Sequence, residues 1–393
     1  VNAANAAADA SRSYIFLPNG TYDLGDKCLT LISGNNISII GESMDKTIIV
    51  NKPAIENEGI GTTATLLNQS NNLYLQDITL KDALDYYKTG AAGRAVCLQD
   101  RGTKTICKNV KMLSYQDTYY SNNNKGQYYF EGSDIHGIVD FICGGGDVFF
   151  NKCTLTLEPG KGSYITAPYT DGTDYGYVFD GCKIVGSATD SFTFGRSWGG
   201  TAKCAFLNTI LDKNAAANIA STRWTTGGMN VVAKNFFEYN TVDENGKVIS
   251  PAENIVKFTK DKEVSEYNTI ITAEKAAEFS LDKVFTNWKP ADLASQTTAT
   301  AATLSNDKLS WTGDAQMYLV AKDGKFFALT TVDTAADDFV IKILFQPWYD
   351  GSRVKSSGIR QYNFFFTHND ILLKKSLLSD MLLPIVYDKT VTL

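Results

Sequence analysis

Val148-Phe-Phe-Asn-Lys-Cys-Thr-Leu155 has the residue pattern that indicates the architecture of this chain, because five other segments repeat that pattern. The copies are Leu73-Tyr-Leu-Gln-Asp-Ile-Thr-Leu80, Thr105-Ile-Cys-Lys-Asn-Val-Lys-Met112, Tyr128-Tyr-Phe-Glu-Gly-Ser-Asp-Ile135, Tyr177-Val-Phe-Asp-Gly-Cys-Lys-Ile184 and Cys204-Ala-Phe-Leu-Asn-Thr-Ile-Leu211. Aligned on Ile78, Val110, Ser133, Cys153, Cys182 and Thr209, they step along the chain by 32, 23, 20, 29 and 27 residues. Such a period with strand-like alternation is typical of a β-helix, whose stacked coils bury one continuous core.

The composition of the chain agrees with this pattern. Gly (31 residues) far outnumbers Pro (8), and Tyr (20) and Phe (21) are plentiful, which favours strands and tight turns over helices. Hydrophobic residues make up 44% of the 393 residues, enough for a large core. We expect no membrane-spanning segment, because no apolar run of about 18 residues occurs. The net charge of -6 argues against a nucleic-acid partner, which needs a basic face.

Three parts are predicted along the chain. Residues 1–293 form the repeat domain, with an Ala-rich capping helix over residues 1–11 and a second helix that has Thr272 as its N-cap. The first ten residues lack the basic and apolar regions of a signal peptide, so we expect a trimmed or mature chain. Residues 294–303, rich in Ala and Thr, are predicted to be a linker. Residues 304–393 are predicted to be a small β-sandwich-like module, although the last of them fit no pattern.

The seven cysteines are predicted to be mostly buried thiols rather than disulfides. Cys107, Cys153 and Cys182 fall inside the strand-like repeats, where an inward-facing thiol acts as a small hydrophobic group. No CxxC spacing suggests a zinc site, and we expect no metal.

Two aspartates, Asp117 and Asp140, lie 23 residues apart, a spacing similar to that of the repeats. If one repeat is one coil, residues one coil apart lie about 4.8 Å from each other, the distance between paired strands. Two carboxyl groups this close cannot both ionise readily, so one keeps its proton while the other is an anion. The pair therefore offers an acid and a nucleophile.

Three motifs gather around these aspartates: Tyr115-Gln-Asp-Thr118, Val139-Asp-Phe-Ile-Cys-Gly144 and Gly195-Arg-Ser-Trp198. In them the chain resembles the pectin methylesterases, a family of right-handed parallel β-helix carbohydrate esterases. Further similar stretches are Ile39-Ile-Gly-Glu-Ser43, Thr62-Thr-Ala-Thr65, Tyr164-Ile-Thr-Ala167 and Phe236-Phe-Glu-Tyr239. The resemblance covers about residues 1 to 290. It implies an all-β fold, a right-handed parallel β-helix, and hydrolysis of the methyl esters of galacturonate units in pectin.

The resemblance also implies roles for four residues. Asp140 matches the family's nucleophile, which attacks the ester carbonyl to give an acyl-enzyme. Asp117 matches the general acid that protonates the departing methanol and then, as a base, activates water. Gln116 matches the donor of the oxyanion hole. Arg196 matches the arginine that keeps the nucleophile ionised through a charge-assisted pair.

Four further residues are implied to bind the polymer. Trp198 matches an aromatic residue that lies against a sugar ring, and family members also place aromatic residues around Phe141 and Trp224. Arg94 departs from the pattern, because most members have Gln at this position. It could donate to the oxyanion, or it could bind a carboxylate of the substrate.

Two smaller departures from the family pattern lie beside the catalytic motifs. Ser197 replaces the usual Pro between the arginine and the tryptophan, and Cys143 replaces the usual aromatic residue after Ile142. We expect both to be minor changes.

Alternative functions remain at this point. Gly195-Arg-Ser197-Trp-Gly199 satisfies the G-x-S-x-G pattern of serine hydrolases, but a strand pattern follows it where that motif needs a helix. Of the two histidines, His136 is expected to be solvated in a turn, and His368 lies outside the repeat domain. A β-helix pectate lyase would need acidic calcium ligands, which are sparse near the motifs. A non-catalytic polysaccharide-binding β-solenoid also stays open, chiefly because of Arg94.

The remaining expectations follow from the resemblance. The partner is pectin, a methyl-esterified homogalacturonan, and the two carboxyl groups with the amide donor need no cofactor. We expect a monomer that is secreted or periplasmic.

Overall fold

The structure is a computed structural model that describes residues 1–7, 12–89, 92–160, 163–186, 191–199, 202–229 and 232–295, and, beyond these, the backbone of four short strands. The chain divides into two compact units, Val1–Ala294 and Ser295–Leu393. The first unit is a parallel β-helix with three faces, and almost every strand in it pairs in parallel with the strand one coil away. The predicted fold class of this unit is confirmed.

Each face is a ladder of parallel strands. The first face consists of Ser13–Leu17, Ile37–Gly41, the first halves of Leu73–Asp82 and Lys104–Leu113, then Gln127–Glu131, Asp147–Asn151, Tyr177–Asp180, Lys203–Leu207 and Asn235–Tyr239. The second face consists of Gly20–Asp23, Thr47–Asn51, the second halves of the same two long strands, then Asp134–Gly137, Thr154–Leu157, Lys183–Gly186, Ile210–Leu211 and Val242–Asp243. The third face consists of Thr30–Ile32, Leu66–Asn68, Leu98–Asp100, Tyr119–Ser121, Val139–Gly144, Ser163–Pro168, Phe192–Arg196 and Trp224–Thr225.

The corner between the first and second faces explains the repeated texture of the sequence. Seven successive coils, from the third onward, turn there at one residue with a positive φ between 49° and 63°: Asp77, Asn109, Gly132, Lys152, Gly181, Asn208 and Asn240. Gly, Asn and Asp adopt this left-handed conformation most readily, so they recur there. The residue after each of the first six corners is the one on which the six segments align, and the paired strands have that register. The predicted coil spacing is therefore confirmed.

The core runs along the axis of the β-helix. Phe130, Phe150, Phe179 and Phe206 occupy successive coils and stack with ring centroids 4.2 to 4.8 Å apart. Each such side chain contributes about 1.5–3 kcal/mol when it is fully buried. Six of the seven cysteines are buried and all seven are free thiols, which confirms that prediction.

The ends of the β-helix are covered by short elements. At the N-terminal end the helix Asn2–Asn5 is shorter than predicted; residues 8–11 lie outside the described part of the chain. The Asn5 side chain binds the backbone of the second coil, accepting from the N–H groups of Ser33 and Gly34. At the other end the antiparallel hairpin Ile255–Lys260 with Glu263–Asn268 inserts Phe258 into the core.

Other short helices pack on the outside of the coils. They are Tyr86–Thr89, Lys213–Asn218, Ala273–Ala276, Leu281–Val284 and Pro290–Ala294, with 3₁₀ turns at Ile55–Asn57 and Ala277–Phe279. The Thr272 hydroxyl accepts from the backbone N–H of Lys275, so its predicted role as an N-cap is confirmed. No helix among the described residues is both long and apolar enough to cross a membrane.

In the second unit the described backbone forms two antiparallel hairpins. Thr303–Ser305 pairs with Lys308–Ser310, and Tyr318–Lys322 pairs with Lys325–Thr330. Most of the linker predicted at 294–303, and the remainder of the module predicted at 304–393, lie outside the described residues, so the sandwich and the domain division stay predictions.

Candidate active site

The third face brings the predicted catalytic residues together. Arg94, Gln116 and Val139 pair in parallel as isolated bridges across three successive coils. Asp117 and Asp140 are the next residues in this register, and the backbone N–H of Asp117 donates to the carbonyl of Val139. The two carboxyl groups are therefore neighbours on adjacent coils, separated by about one strand spacing of 4.8 Å at the backbone.

Both aspartates adopt the same uncommon backbone conformation. The φ angle is +60° at Asp117 and +49° at Asp140, in the left-handed region where Asp is better tolerated than most residues. Conformations of this kind concentrate at functional sites, where the surrounding structure over-determines them. Since two stacked coils bend in the same way at the same place, their carboxyl groups leave the backbone in matching directions.

Arg196 holds Asp140 from two coils further along. Its Nε donates to Asp140 Oδ1 at 2.9 Å and its Nη2 to Oδ2 at 2.5 Å, while its Nη1 donates to the carbonyl of Gly227 at 2.7 Å. The guanidinium also lies over the ring of Tyr164, 4.4 Å from the ring centroid. A bidentate pair between side chains that are only 16% and 8% exposed strongly favours the ionised form of the carboxylate.

The two carboxyl groups differ in the protonation state that their surroundings favour. Burial raises the pKa of Asp117 to about 8, and the neighbouring carboxylate of Asp140 acts in the same direction. Burial also raises the pKa of Asp140 above its ordinary value, but the hydrogen bonds and the charge of Arg196 oppose that rise. Burial therefore favours the protonated form of Asp117 at neutral pH, whereas Arg196 favours the ionised form of Asp140.

Gln116 presents its amide group beside Asp117. The backbone N–H of Gly93 donates to Gln116 Oε1 at 3.4 Å, which assigns the carbonyl oxygen to the protein side. The amide NH₂ then remains to donate outward. This is the orientation that a donor to a developing oxyanion requires.

Arg94 is held by an acidic partner that sequence reasoning missed. Glu58, from the turn before Leu66–Asn68, receives Arg94 Nε at 3.0 Å and Nη2 at 2.7 Å. The Arg94 side chain stays 41% exposed, so this pair forms part of the surface beside Gln116. The carboxylate of Glu58 neutralises the extra cation that the departure from Gln introduces.

Cys143 lies on the other side of Asp117. Its thiol donates weakly to Asp117 Oδ1 at 3.8 Å, and it is buried. The contact could have been anticipated, because Cys143 lies three residues after Asp140 and pairs with Tyr120, which lies three residues after Asp117. The thiol and Arg94 both lower the pKa of Asp117, against the larger effect of burial.

Trp198 is half-buried and forms an aromatic platform with two tyrosines. Its ring centroid lies 5.9 Å from that of Tyr120 and 5.9 Å from that of Tyr169. Tyr169 is 42% exposed. That Trp198 lies against a sugar ring stays a prediction, and the two tyrosines are additions to the predicted set.

Phe141 and Trp224 do not reach this surface, which corrects their prediction as binding residues. Phe141 is 0% exposed and Trp224 only 2%, and both belong to the axial core. The Trp224 ring stacks on Phe236 with centroids 4.5 Å apart. A register irregularity between Val139 and Ile142 interrupts the strand alternation, and Phe141 falls within it.

The remaining candidates do not form a second site. Ser197 is buried, and the strand Lys203–Leu207 follows it where a nucleophile elbow needs a helix. The prediction that His136 is solvated in a turn is wrong. It lies in the strand Asp134–Gly137, between the carboxylates of Asp134 and Glu158. Among the described residues no group of three or more His, Cys, Asp or Glu is arranged to hold a metal ion.

The amino-acid sequence of the β-helix is similar to known proteins. The family model for Pectinesterase matches residues 1–287. Putative pectinesterase 11 of Arabidopsis thaliana is 35% identical over 139 residues, which are 35% of this chain and 38% of that protein. Pectinesterase 1 of Olea europaea is 35% identical over 159 residues, 38% of this chain and 41% of that protein. The chain thus spans about two fifths of the length of these plant relatives.

Solved structures with a similar fold are known. The pectin methylesterase from Erwinia chrysanthemi superposes with a TM-score of 0.56 and 22% identity, over 74% of this chain and 93% of that one. At this level of identity the similarity concerns the fold, and it agrees with the three-faced β-helix described above.

Proposed function

The chain belongs to the pectinesterase family, and from that premise we propose that it hydrolyses the methyl esters of galacturonate units in pectin. The products are methanol and a free carboxylate on the polymer. The observation that carries the proposal is the stacking of two aspartates with different partners: Asp117 is buried and forms no ion pair among the described residues, whereas Asp140 is held by the bidentate pair with Arg196. Burial raises the pKa of Asp117 to about 8, and Arg196 favours the ionised form of Asp140. An acid and a nucleophile side by side are what acyl transfer from an ester requires.

The first half of the reaction forms an acyl-enzyme. A carboxylate oxygen of Asp140 attacks the ester carbonyl carbon, and the carbonyl oxygen becomes an oxyanion that the Gln116 amide NH₂ stabilises. Collapse of this intermediate breaks the bond to the methoxy oxygen, which takes the proton of Asp117 and leaves as methanol. The galacturonate acyl group is then joined to Asp140 as an anhydride, and Asp117 has become a carboxylate.

The second half returns the enzyme to its starting state. Asp117, now an anion, takes a proton from water as the water oxygen attacks the anhydride carbonyl. The bond to Asp140 breaks and restores its carboxylate, which Arg196 again pairs. Each cycle consumes one water and one ester, and it releases one methanol and one new carboxylic acid. The aspartates and the amide supply every group that these steps use, so no cofactor is needed.

The polymer would lie across the third face, with a sugar ring against the platform of Trp198, Tyr120 and Tyr169. An aromatic face suits the apolar side of a pyranose, and the half-buried indole offers one. The net charge of -6 suits a methyl-esterified, largely neutral polymer better than a fully acidic one, which it would repel. Activity should therefore fall as the ester content of the substrate falls.

Methanol release from methyl-esterified pectin tests the proposal. Wild type should release methanol and one proton per ester, Asp140→Asn should release none above background, and Gln116→Ala should lose about 10²–10³-fold in kcat. Asp261→Asn is the matched control, because Asp261 has the same positive φ but is exposed in a distant hairpin turn. Full activity in Asp140→Asn would refute the assignment of the nucleophile.

The same assay separates the alternatives. If the chain is a non-catalytic polysaccharide-binding solenoid, wild type and Asp140→Asn should both bind pectin, and neither should release methanol from it. A pectate lyase would create unsaturated chain ends, seen by ultraviolet absorbance, and would depend on calcium. Ser197→Ala should keep most of the activity, since the buried Ser197 hydroxyl has no part in the steps above.

Three further properties belong to the same proposal. We place the protein outside the cytoplasm, secreted or periplasmic, where its polymeric substrate lies. It is proposed to act as a monomer, which light scattering after gel filtration can measure. Residues 304–393 are proposed to form a small β-rich module that is not needed for ester hydrolysis, so a chain ending at Ala294 should keep the specific activity of the full chain.

A further inference from the structure

Three tyrosines pack together beside the catalytic carboxyl groups, and nothing in the reaction described above uses them. The Tyr86 ring stacks on the Tyr115 ring with centroids 5.3 Å apart and an interplanar angle of 22°. The Tyr87 ring meets both at their edges, 5.4 Å from Tyr86 and 5.2 Å from Tyr115. We call these three residues the tyrosine wall.

The wall and the Trp198 platform are attached to the chain on either side of Asp117. Tyr115 precedes Asp117 by two residues, whereas Tyr120, which contacts Trp198, follows it by three. Residues 114–118 lie between the strands Lys104–Leu113 and Tyr119–Ser121, and the two aromatic groups are attached at the two ends of this short segment. A polymer that crosses the site from the Trp198 platform would therefore meet the tyrosine wall.

The helix Tyr86–Thr89 is fixed close to the Gln116 amide. A side chain at Gly93 would lie 2.5 Å from the Tyr86 ring and 2.9 Å from Thr89 Oγ1, so only glycine permits this contact. The backbone N–H of the same Gly93 donates to Gln116 Oε1. The wall and the proposed oxyanion donor thus share one backbone segment.

The wall is a surface and not part of the core. Tyr87 is 58% exposed, and its hydroxyl donates to the carbonyl of Pro159 at 2.8 Å, which fixes the ring while leaving it open to solvent. Tyr86 and Tyr115 are half-buried. Three aromatic rings held in place at the surface, next to a carbohydrate site, are suited to stacking against a sugar ring.

The charges around the wall are paired. Burial raises the pKa values of Tyr87 and Tyr115; the carboxylate of Glu158 adds to both, and that of Asp85 adds to Tyr115. Glu158 pairs with His136 at 2.7 Å and Asp85 with Lys88 at 2.6 Å. No cation is therefore left over from these two pairs to attract a free carboxylate. A neutral, methyl-esterified sugar fits such a surface better than an acidic one.

We propose that the tyrosine wall is a binding subsite for a methyl-esterified galacturonate residue, on the Gln116 side of the ester that is cleaved. This inference rests on the proposed function and adds to it a specificity determinant that lies outside the three catalytic motifs. The wall holds an unreacted neighbour of the ester in the site, so it contributes to binding and not to the chemical steps.

Tyr87→Ala tests the subsite, with Tyr87→Phe as the matched control that keeps the ring. A fully esterified hexasaccharide is long enough to cover the wall, whereas a disaccharide centred on the catalytic pair is not. For Tyr87→Ala we expect KM for the hexasaccharide to rise about fivefold to tenfold, as stacking energies of about 1–1.4 kcal/mol imply. The value of kcat and the disaccharide kinetics should stay unchanged, and Tyr87→Phe should resemble wild type. Equal effects on both substrates, or none, would overturn the proposal.

A binding experiment keeps the subsite testable apart from catalysis. With Asp140→Asn as background, Tyr87→Ala should weaken calorimetric binding of the esterified hexasaccharide about fivefold to tenfold, and that of the de-esterified hexasaccharide less than threefold. Equal losses would show that the wall does not distinguish the ester, and no loss would remove the subsite. One further outcome is that wild type releases no methanol while Tyr87→Ala still weakens binding of the esterified hexasaccharide more than that of the de-esterified one. That result would refute the proposed hydrolysis and support the subsite. The exposed position of Tyr87 makes a folding defect in Tyr87→Ala easy to detect as a lowered Tm.

Discussion

Asp117→Asn should stabilise the protein at alkaline pH while it abolishes catalysis. Asp117 is 5% exposed and titrates at about 8 in the folded chain, against about 3.9 in an unfolded one. Because the folded state binds this proton more tightly, the stabilisation is fully present below pH 4 and is lost as the pH rises through 8. Asparagine has a similar shape but cannot ionise, so the variant lacks this loss.

The magnitude follows from the two pKa values. Between pH 5 and pH 8 the free energy of unfolding of wild type should fall by about 1.4 kcal/mol per pH unit from this group alone, or about 4 kcal/mol in total. Structural relaxation around the charged form reduces the value, so we expect a difference of about 2–4 kcal/mol between the pH dependences of wild type and Asp117→Asn. Other buried carboxyl groups, such as Asp82 and Asp100, are present in both proteins and cancel.

Urea unfolding at pH 5, 7 and 9 measures the effect. Asp261→Asn serves as the control, because it makes the same chemical change at an exposed site with the same backbone conformation and should follow wild type at every pH. Methanol release from the same samples should be absent in Asp117→Asn. Parallel stability profiles for wild type and Asp117→Asn would refute the reasoning, since they would mean that the folded site does not retain the proton.

Three other predictions concern Arg196 and Arg94 beside the two aspartates, and the contrast between the two tryptophans Trp224 and Trp198. Arg196→Lys keeps the charge but loses the bidentate geometry, so kcat/KM should fall at least about tenfold. The acidic limb of the pH–rate profile should move to higher pH, because the pKa of Asp140 rises. A pH–rate profile of kcat/KM measures both effects. Arg94→Gln removes a cation that lowers the pKa of the general acid, so the alkaline limb of the same profile should move to higher pH. Trp224→Ala should cost about 3–5 kcal/mol of unfolding free energy, since it empties a core position, whereas Trp198→Ala should mainly raise KM for pectin.

The sequence predicted the coil register because the corner between the first two faces constrains it tightly. Seven successive coils turn there at a residue in the left-handed region, and Asn109, Gly132 and Asn208 are residue types that adopt it readily. The same constraint made the stacking of Asp117 and Asp140 predictable from their spacing. Residues whose positions depend on the ladder could therefore be placed from sequence.

Residues at irregular points could not be placed in this way. Phe141 falls in a register irregularity after a residue with positive φ, where the alternation of inward and outward side chains breaks down, and it turns into the core. Two residues of the tyrosine wall come from a four-residue helix in the connection between the second and third faces of one coil, and its orientation depends on contacts with Gly93 and Pro159. Glu58 reaches Arg94 from 36 residues away. No local pattern encodes such contacts.

Two of the departures from the family pattern act on one group. Arg94 and Cys143 occupy positions where Gln and an aromatic residue are usual, and both lower the pKa of Asp117 against the effect of burial. Asp140 has its own cationic partner, because Arg196 donates to both of its carboxylate oxygens. We therefore expect the substitutions to change how readily the proposed general acid gives up its proton, while Arg196 still pairs with the proposed nucleophile. On this reasoning the chain should differ from its relatives in the alkaline limit of its activity and not in the bonds it breaks.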